Sequence, residues 1–363
     1  MFHSLAAYSV GALLYCPAGL HDSIVTTLLH NAIPAPFSLA FCLEDTVNDA
    51  HLAEAENALL RTLEQIQRLH AEHSFYLPQI FVRIRSPLHL RRMAARLSGV
   101  SQVLTGFILP KFYTDNSRAY LAAVEDLSQS SEFLYMPIFE SHAMAAPAGR
   151  LEQLARLKEE LAPFSTRILN LRVGGNDLSH VFGLRRSVSD TIYDLQPVAR
   201  ILMDVVSTFA ADYVISGPVW EYYAGPGWDT GLERELRLDA LNGFIGKTVI
   251  HPNQIPIVNR ALQVTDRDYA DARSILFWDL DNAPMVARSV DAARMNEFKT
   301  HANWASKILA LAQIYGVRPE EAAPVRRTAA GKSAVSRRAA PRGGAADALP
   351  AEVHEQSTMF QIQ

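Results

Sequence analysis

Two cysteines among 363 residues, Cys16 and Cys42, are too few for a disulfide framework, and both sit in apolar runs. They read as small buried hydrophobes rather than as a redox or metal pair. No apolar run approaches the roughly 18 residues that a membrane helix needs. The N-terminus also lacks a basic segment leading into an apolar core and cleavage site. A formal net charge of −4 and a pI near 6.3 leave no basic excess for a general nucleic-acid binder. Zinc is disfavoured because no His/Cys cluster has its ligand spacing, and the two histidines of "HAEH" (70–73) lie on a polar helix end. "GGNDLSHVFG" is not a Walker A loop. The expectation is a cytoplasmic protein with neither nucleic-acid nor membrane partners.

Short, continuously apolar runs are abundant. Strands are expected at 11–18, 38–45, 79–86, 106–112, 133–141, 167–175, 212–219 and 247–252, apolar on both faces as parallel strands buried within a protein are. Amphipathic helical segments fall between them. In 49–73, Leu52, Ala55, Leu59, Leu63, Ile66 and Leu69 recur at helical spacing, and 118–129, 151–161 and 194–211 behave alike. Eight strands alternating with helices predict an α/β fold, a (β/α)₈ TIM barrel, with a doubly wound sheet as the other arrangement. A C-terminal helical extension follows at about 253–316. Thr265 and Asp268 are spaced as a capping box, and 291–316 reads as one long helix or a helical pair. The barrel domain is thus expected over 1–318. From 319 to 363 the composition turns to Ala, Pro, Gly, Arg and Ser, the signature of a disordered tail.

In such a barrel, catalytic groups stand where strands end and βα loops begin. Polar residues collect at those places: Glu44 and Asp45 after the second strand, Arg83 and Arg85 on the third, Lys111 after the fourth. Glu140 follows the fifth strand, Asp177 the sixth and His251 the eighth. Singly, each acid has a plainer reading as a helix cap, and Arg83 as the partner of a structural carboxylate. Capping does not explain the whole set. Glu140 and Asp177 supply two hard oxygen ligands of the kind Mg²⁺ takes together with water and substrate oxygens. Arg83 has the planar fork suited to a carboxylate or enolate, and Glu44 and Asp45 are placed to orient it and hold metal-bound waters.

The motifs "LEDTV" (43–47), "VRIR" (82–85), "LPK" (109–111), "FES" (139–141), "GGNDL" (174–178) and "GKTVIHPNQI" (246–255) resemble those of the HpcH/HpaI aldolase and citrate lyase β-subunit superfamily. The likeness covers about residues 10–315 and is to the citrate-lyase-β-like branch. The resemblance implies a TIM barrel, Mg²⁺ dependence (with Mn²⁺ as substitute), trimers or hexamers, and carbon–carbon bond chemistry through an enolate. It assigns metal ligation to Glu140 and Asp177, substrate binding to Arg83, and support of the metal's waters to Glu44 and Asp45. Lys111, Gly175 and Asn176 complete the expected substrate-binding set. Three positions depart from the pattern. Gly11 stands where relatives open the first strand with arginine, and Asn176 replaces an acid beside Asp177. Glu297 is the counterpart of a C-terminal Asp that acts as acid/base across a subunit boundary. These departures fit a divergent branch, of the kind found near tellurium-resistance or biosynthetic genes.

The function implied is a Mg²⁺-dependent lyase or aldolase acting on a 2-oxo acid, hydroxy acid or hydroxyacyl-CoA thioester. Two alternatives stay open: a thioesterase or condensing enzyme on the same site, and a non-catalytic metal- or ligand-binding subunit of a biosynthetic complex. Arg185 and Arg186 are read either as phosphate contacts or as a solvated basic turn.

Overall fold

A computed structural model gives the fold and describes residues 4–19, 22–278 and 284–319. The expected tail, beyond its first residue, lies outside the described residues. Eight parallel strands carry the architecture: β1 (Ala12–Pro17), β2 (Ser38–Cys42), β3 (Gln79–Arg83), β4 (Leu104–Leu109), β5 (Leu134–Phe139), β6 (Leu171–Val173), β7 (Ile215–Ser216) and β8 (Lys247–Val249). Neighbours in sequence are neighbours in the sheet, and β8 returns to pair with β1. The seam between β7 and β8 is closed by a parallel bridge at Gly217 and Lys247, with Ile245 N donating to Ile215 O at 2.7 Å. This is a closed barrel, not an open sheet. The last three strands are shorter than their apolar runs. Pro218 has no N–H with which to continue β7, and a helix, Gly175–Val181, begins two residues after β6. At the seam Gly246 has φ +84°, and a Cβ there would lie 2.5 Å from the Gly11 carbonyl oxygen. Only glycine fits that approach.

The lumen changes character along its axis. Leu13, Ala40, Phe81, Ile108, Met136 and Val214 form an apolar lower plug, joined by Tyr8 and Tyr315. Nearer the C-terminal ends the inward positions turn polar: Tyr15, Arg83, Glu140 and Arg172. The outer layer of helices buries its apolar stripe against the other strand faces. Ala55, Leu59, Leu63 and Ile66 of the helix Leu52–Glu72 do so as expected.

The C-terminal extension differs from its expected form. Thr265 does cap the helix Asp266–Leu276, accepting from Asp268 N at 3.1 Å. Residues 291–297 are not helical, however. Val286–Arg288 and Met295–Glu297 pair as an antiparallel hairpin, and the final helix runs from Phe298 to Tyr315. Buried Asp271 fixes the hairpin: it accepts from Val290 N at 2.9 Å, Arg294 Nε at 2.7 Å and Asn296 Nδ2 at 3.2 Å. These long-range bonds outweigh the local helix propensity of "DAARMNE". The final helix returns to the base of the barrel, where Tyr315 donates its hydroxyl proton to Tyr8 O at 3.0 Å. No described helix is long and apolar enough to cross a membrane.

Candidate active site

Arg83 is the hub of the rim. Its Nη2 lies 2.6 Å from Glu44 Oε2, 2.8 Å from Glu140 Oε1 and 3.1 Å from Asp45 Oδ2. One guanidinium corner thus serves three carboxylates from two different strand ends. Nε is buried without an acceptor, and Nη1 donates to no described residue. Both nitrogens therefore keep donor protons that the described residues leave unused. The surrounding acids hold the guanidinium firmly charged, overcoming the opposing effect of burial.

Lys111 closes the cluster from β4. Its Nζ reaches Glu44 Oε1 at 2.6 Å and Asp45 Oδ1 at 3.2 Å, while its backbone N–H donates to Glu140 Oε1 at 3.2 Å. To do both it adopts φ +49°, which is unusual for a side chain other than Gly, Asn or Asp. Lys111, expected to bind substrate, is here the direct counter-charge of the Glu44–Asp45 pair. Burial pushes the Glu44 carboxyl above its ordinary range despite Arg83. Asp45 is held below its range, because Glu44, Arg83 and Lys111 outweigh its burial. The loop carrying both acids is itself fixed by Arg85, whose Nε donates to Leu43 O at 2.6 Å and whose guanidinium also meets Val47 O and Asp49.

Glu140 is 2 % exposed. Its Oε1 is used by Arg83 and Lys111; Oε2 accepts from no described group. The room for it comes from Gly174, where a Cβ would fall 2.0 Å from Oε2. Asp177 stands in the first turn of the helix Gly175–Val181 with no hydrogen bond or ion pair among the described residues, near enough to raise Glu140's proton affinity. Burial, Asp177 and Glu44 together push Glu140 up to about 8 against the pull of Arg83. Glu140 and Asp177 thus lie within electrostatic reach of each other, each with oxygen that no described donor engages. That donor set fits Mg²⁺, which takes one or two carboxylates and keeps several waters. No group of three potential ligands occurs among the described residues, so water and substrate oxygens must complete any coordination shell. Gly174→Ala should displace Glu140 and weaken Mg²⁺ binding by about 10–100-fold, read by calorimetry; unchanged affinity would refute the role of this gap.

The sign of the pH dependence follows. Glu140's carboxyl has a higher pKa in the fold, about 8, than its ordinary 4.5. The folded state therefore holds a proton that the unfolded chain has released. Its stabilising contribution, full below about pH 4.5, falls as pH rises towards 8. Wild-type melting temperature without added metal should drop across this window, and Glu140→Gln should flatten the drop. Equal slopes in both proteins would contradict the shift.

The remaining expected residues separate. Gly175 is buried, with Pro218 2.7 Å from where its Cβ would be; Asn176 is exposed on the same turn. Glu297 ends the hairpin, its backbone N–H donating to His301 Nδ1 at 2.9 Å, and makes no contact with Arg83, Glu140 or Asp177. An acid/base role for Glu297 therefore requires a second chain. Arg185 is exposed, 3.6 Å from Glu221. Arg186 is neither a phosphate contact nor a solvated turn, because it is buried on Glu235 at 2.6 Å. His251 stacks on Tyr223 at 4.8 Å and takes no part in the cluster. Sequence reading missed Tyr15 and Arg172, both lumen-facing, and Gly174. The signal for Arg172 was present, as an arginine inside the otherwise apolar run "RILNLRVGG".

A closed parallel barrel gathers acids, an arginine and a lysine where its strands end, the place at which enzymes of this fold carry their active sites. The chain belongs to the C–C bond lyase family of the TIM-barrel fold, whose family model matches residues 4–317. The resemblance read from its motifs holds at that level. A citrate lyase from Burkholderia xenovorans LB400 matches with a TM-score of 0.61 at 16% identity, over 86% of this chain and 94% of that one. The protein CitE from Mycobacterium tuberculosis, in complex with magnesium, acetoacetate and coenzyme A, matches with a TM-score of 0.55 at 20% identity, over 84% and 98%. At such identities the likeness is one of fold. No curated protein matches the chain.

Proposed function

We propose that the protein is a Mg²⁺-dependent carbon–carbon lyase or aldolase that works through an enolate. Its substrate is a 2-oxo acid, a hydroxy acid or a hydroxyacyl-CoA thioester. The observation carrying this reading is the electrostatically coupled pair Glu140 and Asp177, with oxygens that no described donor engages, in a cluster with Arg83. The magnesium and acetoacetate in the CitE complex are in keeping with it. When bound, Mg²⁺ supplies a Lewis acid that polarises the substrate carbonyl.

The chain's own residues do the rest. Glu140 and Asp177 hold the cation, and Gly174 leaves Glu140 the room to do so. Arg83 Nη1 and Nε offer donors to the oxygen on which negative charge develops, within a dry site where such donors act strongly. Glu44, Asp45 and Lys111 keep Arg83 in position. In the cleavage direction a base takes the substrate hydroxyl proton, the carbon–carbon bond breaks, and its electron pair becomes the enolate. Protonation at carbon completes the turnover. Glu297 of a neighbouring chain is the proposed acid/base, which makes the working form a homo-oligomer.

Enolate chemistry is tested without knowing the substrate. Pyruvate in deuterated buffer should lose its methyl proton signals when wild-type protein and Mg²⁺ are both present. Glu140→Gln should abolish the exchange, and Asp45→Asn should slow it through a looser Arg83. Wild-type exchange no faster than that with Mg²⁺ alone would count against an enolate-forming site.

A further inference from the structure

Arg172 on β6 has no part in the chemistry above, and its situation is unusual. It is 1 % exposed. The other buried arginines each meet a carboxylate: Arg83 meets three, Arg150 meets Asp204 at 2.7 Å and Arg186 meets Glu235 at 2.6 Å. Arg172 meets none among the described residues. Its Nη2 donates to Thr248 Oγ1 at 2.7 Å and its Nη1 to Asn170 Oδ1 at 3.5 Å, both neutral acceptors. Nε has no acceptor, and neither does the nearby Asn170 Nδ2. A buried cation without a counter-ion destabilises the fold that contains it. Burial accordingly lowers the guanidinium's proton affinity, to about 10.

Its place gives this surplus of donors a meaning. Arg172 lies two residues before Gly174, whose inward space Glu140 occupies. That is roughly 6.6 Å of strand rise below the carboxylate cluster. The side chain runs towards Thr248 on β8, within electrostatic reach of Tyr15 on β1, and Tyr15 also senses Arg83. The acids paired with Arg83 stand at the ends of β2 and β5, and β5 is the strand beside Arg172, with Ile138 in register with it. At the rim those acids are met by Arg83 and Lys111, whereas one layer below lies a lone cation with orphaned donors.

We propose that Arg172 receives a second carboxylate of the substrate, so that the site selects dicarboxylic 2-oxo or hydroxy acids over monocarboxylic ones. This rests on the lyase reading, in which Arg83 and a cation held by Glu140 and Asp177 would take the 2-oxo or 2-hydroxy end of the substrate. Asn170 Nδ2 is a further donor to the second carboxylate. A charge-assisted pair of this kind discriminates strongly, because the analogue lacking the group leaves the arginine buried and unpaired.

Malate and lactate differ by this one carboxylate. Calorimetry with Mg²⁺ present should show wild type binding malate at least about tenfold more tightly than lactate. In Arg172→Met the ratio should fall close to one, with lactate affinity unchanged. The unliganded Arg172→Met protein should melt at or above the wild-type temperature, since it loses an unpaired buried charge; Arg172→Gln supplies the same comparison if the Met variant does not fold. A malate preference that survives both substitutions would overturn the proposal, as would a fall in melting temperature marking a structural arginine. If lactate binds in an Asp177-dependent way while malate gains nothing, only the role of Arg172 falls. If neither acid binds wild type, the lyase reading fails and takes this proposal with it.

Discussion

Arg83→Met is expected to cost about 3–5 kcal/mol of stability, the usual penalty for stripping the partner from a buried ion pair. The melting temperature should fall on the order of 10 °C. Arg83 balances Glu44, Asp45 and Glu140, and the Glu140 side chain is only 1% exposed. Without the guanidinium, the Glu140 carboxyl should hold its proton more tightly still, its pKa climbing beyond about 8. A cation must displace that proton to bind, so Mg²⁺ affinity should collapse together with enolisation. The destabilisation should shrink in acid, where Glu44 and Asp45 take up protons as well. Urea denaturation at two pH values separates these effects. A variant as stable as wild type at neutral pH would show that the acids do not depend on Arg83.

The second large effect is expected far from the chemistry. Lys247 is wholly buried, with Nζ 2.6 Å from Glu235 Oε1 and 2.7 Å from Asp239 Oδ2. Glu235 also holds Arg186 and accepts from Ile192 N, while Asp239 accepts from the Tyr193 hydroxyl at 2.7 Å. Lys247→Met leaves two carboxylates facing one arginine in a dry space and should cost about 3–5 kcal/mol. Adding Asp239→Asn should recover part of that loss, since it removes the carboxylate left without a cation. Mg²⁺ affinity of the folded fraction should be unchanged, because none of these groups touches Glu140 or Asp177. Equal stability of the single and double variants would contradict this account of the network.

That contrast bears on what the sequence made legible. "GKTVIHPNQI" is among the most specific motifs of the chain, yet its residues build the scaffold. Lys247 anchors the buried network, Gly246 permits the seam, and Gln254 ties two loops by donating to Trp220 O and Tyr222 O. "LEDTV" is different, since its acids do reach the site. The barrel could be read because eight apolar runs alternate with amphipathic ones, a pattern that local chemistry imposes. The rim acids could be read because strand ends point to one face of such a barrel. What escaped was set by contacts distant in sequence. The hairpin before the final helix depends on Asp271, some twenty residues upstream, which claims Val290, Arg294 and Asn296. Arg186 looked like half of a basic turn until Glu235 was brought beneath it. The ion pairs of Lys111 with Glu44 and Asp45 join residues some 66 positions apart, which only the closed barrel brings together. Arg172 escaped for another reason: an arginine in an apolar run says that something is buried with it, but not what.

In the proposed mechanism Glu140 and Asp177 together hold one divalent cation. Mn²⁺, as a paramagnetic stand-in for Mg²⁺, reports its own binding directly by electron paramagnetic resonance titration. Wild-type protein should bind a single Mn²⁺ per chain, displaceable by Mg²⁺. Asp177→Asn should keep its circular dichroism spectrum but lose that site, because among the described residues Asp177 makes no hydrogen bond or ion pair on which the fold depends. Equal Mn²⁺ binding by the two proteins would place the cation elsewhere and contradict the claim.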